Sequence, residues 1–334
     1  MTIAVTGGTG FIGQVLVQQL LQNGYKVRLI IRKNNKLGPT ASFPVEAVAA
    51  SLHDKDSLSQ ALSGCSQLYH LAAYARSWSS APDLFKKINV EGLKNVLEAA
   101  LEIGVKRVVY VSSSVVLGPS SEKPLKESNN RNKKPYFTLY EESKALSEKI
   151  IPDYLKRGLE VLIARPTRVY GPGKLNEANS VTRIIRAFLR WRLALILNRG
   201  QEIGNYVYVE DVARGLRQMM EKGKSGEDYI LAGENISLKG FYDLLEEVSG
   251  IKAFRIYVPA RTARKLARLE TWKAKHLRLY PLITEDWVET FLQNWAFSHE
   301  KAAQELGYQP LSLKKGLELT CRWLRGKNYD QLSW

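Results

Sequence analysis

The chain has 334 residues, 45% hydrophobic and 25% charged, which excludes a fibrous or disordered protein and allows a large core in one two-lobed unit or two domains. Lys and Arg number 49 against 33 Asp and Glu, a net charge of +16; the excess suits nucleic acid, an anionic membrane or a phosphorylated ligand, and equally a merely soluble surface. The two cysteines, Cys65 and Cys321, cannot form a disulfide framework and have no histidine at metal-ligand spacing, so a reducing compartment and no metal are expected.

The first predicted element begins at once. Thr2 to Val5 is short, apolar and β-branched and reads as a buried strand, with no leader ahead of it and no apolar run of membrane-spanning length after it, so a cytoplasmic protein is expected. Gly7, Gly10 and Gly13 follow, and Phe11 to Leu21 repeats apolar residues at helical spacing. Glycines between a strand and a helix permit a tight turn and let backbone N–H groups and the helix N-terminus approach a pyrophosphate. Glycine spacing alone is a weak signal; the flanking strand and helix turn it into the outline of a dinucleotide site.

Further strands are predicted at 26–32, 45–50, 66–73, 106–114 and 159–166, and helices at 54–64, 83–104 and 140–156. This alternation predicts an α/β fold, a mainly parallel, doubly wound sheet covered on both faces, with its ligand crevice at the carboxyl ends of the strands. Chemistry is therefore sought at Gly7 to Gly13, Arg32, Ser51, His70 to Ala73, Ser112 to Ser114, and Pro166 to Thr167. His70, a lone histidine at a strand end, reads as structural. Past Tyr170 the pattern becomes helical with short strands at 205–209 and 228–231, a smaller substrate lobe. The polar loop 120–136 is predicted to cross the surface near the cleft, and 222–227 to form a turn.

The sharpest local signal is YEESK, Tyr140 to Lys144. Four residues apart on a helix, the two side chains share a face, so the Lys ammonium can lie beside the Tyr phenol and favour its ionised form. A phenol with a lowered pKa suits general acid/base work on a carbonyl and alcohol pair. The pair follows YVSSS, a strand ending in three hydroxyls expected to open into the same cleft.

In order, TGGTGFIG, HLAA, YVSSSVVLG, YEESK, ARPTRVYGPG and VYVEDVARG make nearly the whole chain resemble the extended short-chain dehydrogenases/reductases. Each motif is weak alone; their shared order and spacing are specific. The resemblance implies a Rossmann domain over 1–172 and a substrate lobe over 173–334, some of whose segments return to the sheet. It implies that Gly7, Gly10 and Gly13 cradle the pyrophosphate with Thr9, Phe11 and Ile12, and that Tyr140 is the acid/base. Lys144 would bind the nicotinamide ribose and tune Tyr140. Counting back from Gly118 selects Ser113 as the substrate hydroxyl, with Ser114 the alternative register. Ser51, Leu52, Leu71, Ala72 and Ala73 would line the cofactor, as would Ser112, Pro166 and Thr167. NAD-binding members carry an acid after the second strand; Arg32 and Lys33 stand there instead, so NADP is expected, with NAD the alternative. Ser51 replaces the family's frequent Asp near the adenine, leaving the backbone or Asp54 for that contact.

Sugar-nucleotide members often place an Arg where this chain has Gly204, which puts their diphosphate clamp in doubt. Two stretches are both basic and apolar: Val181 to Arg199 carries five arginines and no acid, and Ile251 to Pro281 carries nine Lys or Arg and one Glu. Such helices can lie on an anionic membrane. The favoured reading is that their apolar faces line the core and substrate pocket while the cations are solvated. GEDYILAGENISLKGFYDLLEEVSG followed by a VP dipeptide looks closest to the dihydroflavonol-reductase-like and 3β-hydroxysteroid-dehydrogenase-like branch. The resemblance thus implies an NADP-dependent oxidoreductase acting on a ketone or secondary alcohol of a small apolar, polycyclic or lipid-linked substrate. A nucleotide-sugar epimerase or dehydratase with retained cofactor is the rival, and a non-catalytic dinucleotide sensor or assembly protein the alternative of another class. No specific nucleic-acid partner is expected; a homodimer through Rossmann helices is common in the family.

Overall fold

In the computed structural model, which describes residues 2–33, 37–121, 123–129, 131, 135–277 and 279–326, strands and helices alternate through the first half of the chain. They are β1 (Thr2–Thr6), α1 (Phe11–Gln22), β2 (Lys26–Ile31), β3 (Glu46–Ala49), α2 (Lys55–Leu62), β4 (Cys65–His70), α3 (Asp83–Lys86), α4 (Gly92–Ile103), β5 (Arg107–Val111), α5 (Leu139–Lys156) and β6 (Glu160–Pro166). Beyond them come β7 (Arg168–Tyr170), α6 (Ser180–Trp191), β8 (Leu193–Leu197), β9 (Ile203–Tyr208), α7 (Val209–Lys222), β10 (Asp228–Leu231), β11 (Glu234–Ser237), α8 (Leu238–Ser249), β12 (Phe254–Val258), α9 (Ala260–Leu277), α10 (Glu285–Phe291), α11 (Glu300–Leu306) and α12 (Leu313–Gly326).

Seven of the strands form one parallel sheet in the order β10-β6-β5-β4-β1-β2-β3. The order reverses between β1 and β4, and that reversal opens a crevice at their carboxyl ends. The central strands are apolar on both sides because helices cover both faces. Ile3 and Val5 pack with Leu16 of α1 and Val212 of α7, while Ala4 and Leu68 pack with Leu58 of α2 and Leu97 of α4.

Two strands end earlier than their apolar runs predict. β1 stops at Thr6 in the glycine turn, so β4 has no ladder partner past His70 beyond one bond from the Leu71 N–H to the Thr6 carbonyl at 3.1 Å. β5 stops at Val111 and keeps one further bond, Ser112 N–H to the Ala164 carbonyl at 2.8 Å. The helix predicted over 83–104 is broken by a π-helical turn, Lys87–Glu91; its Asn89 carbonyl accepts the Ser147 hydroxyl of α5 at 2.8 Å.

Pro166, lacking an N–H, closes the main ladder. After Thr167 the chain enters the smaller lobe, where β7 pairs in parallel with β9 and β9 antiparallel with β11; β8 and β12 form a separate parallel pair. The two basic helices behave differently. The apolar face of α6, Val181, Ile185 and Phe188, is buried in the lobe core with Phe241 and Leu317, as the favoured reading held, but Arg186 is buried with it, so the expectation of solvated cations fails there. α9 departs from it: the small side chains of Ala263 and Ala267 let the helix settle against Leu197 and Val288, and Leu266, Leu269 and Trp272 are left exposed. Among the described residues no helix is long and apolar enough to cross a membrane.

Candidate active site

The glycine turn is shaped by close backbone approach. Gly7 has φ +71°, and a Cβ there would lie 2.6 Å from the Ala72 nitrogen; one at Gly13 would lie 2.2 Å from the Gly7 carbonyl oxygen. Gly10 caps α1 with no side-chain hydrogen bond, and the first turn carries no acid. The first N–H groups of α1 are thus not neutralised by the chain itself, the condition under which a helix start accepts a phosphate. Thr9 contributes its carbonyl to the Gln14 amide at 3.1 Å. The Phe11 side chain is buried and Gly173 packs on its ring, so Phe11 reaches the crevice only through its backbone. Ile12 is half-buried. The residues present fit a bound dinucleotide.

Leu71, Ala72 and Ala73 form the facing wall, all half-buried. Behind them the Ala72 N–H donates to Thr6 Oγ1 at 3.3 Å, and that hydroxyl meets His70 Nδ1 at 2.7 Å. Burial, with Lys144 nearby, holds His70 neutral with its pKa down to about 3. His70 therefore ties β1 to β4.

At the end of β5 the three hydroxyls do not share one fate. Ser112 and Ser114 are buried, while Ser113 is half-buried and lies close enough to the Tyr140 phenol to favour its ionised form. Ser113 also caps the short turn that follows it, accepting from the Val115 N–H. Tyr140 stands in the first turn of α5, whose N-cap, Thr138, accepts from the Glu141 N–H at 3.1 Å. Lys144 follows one turn later on the same face and is buried. Its ammonium donates to the Val111 carbonyl at 2.8 Å and the Tyr110 hydroxyl at 3.3 Å. The expectation that Lys144 lowers the pKa of the phenol is corrected accordingly. Burial dominates both groups, pushing Tyr140 up to about 12 against the opposing pull of the Ser113 hydroxyl, and Lys144 down to about 7 despite Glu148.

Arg32, Lys33 and Ser51 come together in a cleft of about 620 Å³ beyond β2 and β3, which Asp54 and Ser57 also line. Both cations are exposed. Asp54 is spent on the helix: its carboxylate caps α2 by accepting the N–H groups of Asp56 and Ser57. Ser51 Oγ accepts from the His53 N–H at 3.2 Å, and Leu52 packs over Gly92. At the far end of the crevice Pro166 is buried, and Thr167 donates to Asn205 Oδ1 at 2.6 Å.

On the substrate side, a Cβ at Gly204 would lie 2.6 Å from Arg168 Nη1. The Arg168 guanidinium lies 4.5 Å from the Phe291 ring centre and 5.8 Å from that of Tyr206. A guanidinium therefore occupies the neighbourhood from which glycine removes one. The described part of the loop 120–136 is tied beside the site: Arg131 donates to the Val115 carbonyl at 2.7 Å and pairs with buried Glu141 at 2.8 Å.

The family model for the NAD dependent epimerase/dehydratase family matches residues 3–232, which takes in the glycine turn, Ser113, Tyr140 and Lys144. The chain belongs to that family. It is an NAD(P)-dependent enzyme of the extended short-chain dehydrogenase/reductase type within it. The "Putative dihydroflavonol 4-reductase" of Synechocystis is 31% identical over 97% of this chain and 95% of its own length. The 4-hydroxy-2-methyl-3-oxo-4-farnesyl-3,4-dihydroquinoline-1-oxide ketoreductase of Stigmatella aurantiaca is 28% identical over 92% of each chain. Among solved structures, the dTDP-glucose 4,6-dehydratase of Streptomyces venezuelae with NAD bound has a TM-score of 0.78 at 25% identity, covering 98% of both chains.

Two groups of this epimerase/dehydratase site escaped the sequence reading. Asn89, buried within the π turn, accepts the Tyr74 N–H at 2.7 Å and donates to Ser143 Oγ at 2.9 Å, pinning the loop after β4 to α5. A polar residue inside a helix predicted as regular was its only signal. The Arg131–Glu141 pair was legible for half its length, since Thr138 and Glu141 have the T-x-x-E spacing of an N-terminal cap.

Proposed function

We propose that this protein is an NADP-dependent oxidoreductase that interconverts a ketone and a secondary alcohol on an apolar, polycyclic or lipid-linked substrate in the cytoplasm. The observation that carries the reading is the neighbouring pair Ser113 and Tyr140, half-buried at the carboxyl edge of the sheet with Lys144 buried behind them. A bound reduced nicotinamide supplies hydride to the carbonyl carbon. Ser113 Oγ orients the substrate oxygen, and Tyr140 donates its proton there in the reducing direction and accepts it in the other. Lys144 commits two of its three N–H bonds to Val111 and Tyr110 and keeps one for a ribose hydroxyl. Backbone N–H groups from Gly7 to Gly13 would hold the pyrophosphate, while Arg32 and Lys33 meet the 2′-phosphate that NADP has and NAD lacks.

An apolar substrate is supported by the cluster that adjoins the site, in which Val115, Val116 and Phe137 join Trp295 and Phe297. The Stigmatella ketoreductase, whose name specifies a farnesylated ring system, points the same way. In this reading residues 1–172 hold the cofactor and 173–334 chiefly the substrate. Replacing Tyr140 by Phe tests it: cofactor binding persists and oxidation of added NADPH by an apolar ketone falls by at least about a thousandfold. Unchanged turnover in that variant would sink the catalytic assignment in favour of a dinucleotide-binding protein. The rival, nucleotide-sugar epimerisation or dehydration, is favoured by one feature, the Arg168 guanidinium beside Gly204. Stoichiometric release of oxidised cofactor separates the two, since the rival returns its hydride to the substrate.

A further inference from the structure

We propose that the outward face of α9, with the segment 279–282 that follows it, docks this protein on an anionic lipid bilayer beside the mouth of its site. At 100° per residue, Ala263, Ala267 and Ala274 form one stripe, and all three are buried. Lys265, Leu269, Trp272 and His276 lie on the opposite side and are exposed, Leu269 by 49% and Trp272 by 54%. The apolar surface continues past the helix through Leu277 and Leu279 to Leu282, which is 92% exposed. Isolated exposed leucines are ordinary on soluble proteins; a run of them with a tryptophan marks a contact surface.

Charge selects the occupant. Glu289 pairs with Arg264 at 2.6 Å, Glu285 with Arg268 at 2.9 Å and Glu270 with Lys273 at 2.7 Å. Arg261, Lys265 and Lys275 have no carboxylate partner among the described residues and are exposed. Free cations among leucines and a tryptophan match the two halves of a membrane interface, anionic head groups and the acyl boundary. A second copy of the chain fits less well, because a two-fold contact through this face would set cations against cations.

The position of the face gives it a use. Tyr280 packs edge-on against Trp78, ring centres 5.7 Å apart, and its hydroxyl lies 3.4 Å from Ser77 Oγ. Ser77 and Trp78 belong to the loop that leaves the cofactor wall at Leu71 to Ala73, so the bilayer-facing segment borders the crevice. Docking stands on this surface alone; delivery of an apolar substrate from the bilayer rests on the function proposed above.

The test is sedimentation of the full chain with vesicles of mixed phosphatidylcholine and phosphatidylglycerol, or of phosphatidylcholine alone. Two variants accompany it, Leu269→Ser with Trp272→Ser, and Arg261→Gln with Lys265→Gln and Lys275→Gln, with NADPH titration as the control for folding. Expected is binding to the anionic vesicles, released by salt and at least about tenfold weaker in either variant, with NADPH affinity unchanged. No sedimentation, equal binding to the uncharged vesicles, or wild-type binding by both variants overturns the proposal. So does loss of a dimer in the first variant without any vesicle binding, which would make the face a contact between copies. Vesicle binding does not depend on Tyr140, so failure of the catalytic reading and failure of docking are read separately.

Discussion

Arg168 Nη1 stands 2.6 Å from the point where a Cβ on Gly204 would lie. The guanidinium is the far end of a flexible side chain and can swing away, whereas the Tyr206 hydroxyl at 2.9 Å belongs to a buried ring stacked on Phe241. At Gly13 the obstacle is backbone, the Gly7 carbonyl oxygen at 2.2 Å. Gly204→Ala is therefore expected to cost about 1 kcal/mol, less than Gly13→Ala at about 2–3 kcal/mol, which also loses most of the cofactor affinity. Urea unfolding and nicotinamide fluorescence measure both; equal costs would show that the two contacts are equally soft.

Arg32 and Lys33 share a cleft with Ser51, and β2 ends without an acid. Arg32→Ala is expected to weaken NADPH at least about tenfold, about 1.4 kcal/mol or more, and to leave NADH within about twofold. Parallel titrations at two salt concentrations decide this. A variant that loses both cofactors equally would remove the 2′-phosphate assignment.

Tyr140, held up to about 12 by burial, is protonated at neutral pH. As a proton donor it is then already in the working form, so its own titration leaves the reductive rate unlimited to about pH 9 and any change near pH 7 belongs to Lys144; as an acceptor it must first ionise, so the oxidative rate should climb with pH above that step. Initial rates in both directions across this range provide the check. An oxidative rate already level near neutral pH would mean that the phenol is tuned well below this value when the ternary complex forms.

His70, whose pKa burial lowers to about 3 from the usual 6.5, couples stability to pH. Between those values the unfolded chain binds a proton that the folded chain does not, so stability falls as pH drops through the window, with a slope approaching about 1.4 kcal/mol per unit. Carboxylates contribute in the same range, so the difference between wild type and His70→Asn isolates the histidine. The two urea-denaturation profiles should converge as pH falls from 6.5 toward 3; parallel profiles would exclude His70 as the titrating group.

Much of the architecture was legible because its causes are local. The apolar run of β1, the glycines at 7, 10 and 13 and the apolar spacing of α1 specify a strand, a tight turn and a helix whatever surrounds them, and their repetition implies the parallel sheet. Tyr140 and Lys144 share a face because helical geometry alone puts them there. The partners of those side chains were not legible. That Ser113 meets Tyr140 while Ser112 and Ser114 are buried depends on where β5 leaves its ladder with β6. That the Lys144 ammonium goes to the Val111 carbonyl depends on the depth at which α5 packs against β5. Arg168 beside Gly204 joins two strands far apart in sequence, and the outward turn of Trp272 was set by which side of α9 the alanines could seat against Leu197 and Val288. Local pattern fixes the type of each element and the residues on each face; the direction of a charged or polar side chain and the burial of a face depend on what the rest of the chain packs against it.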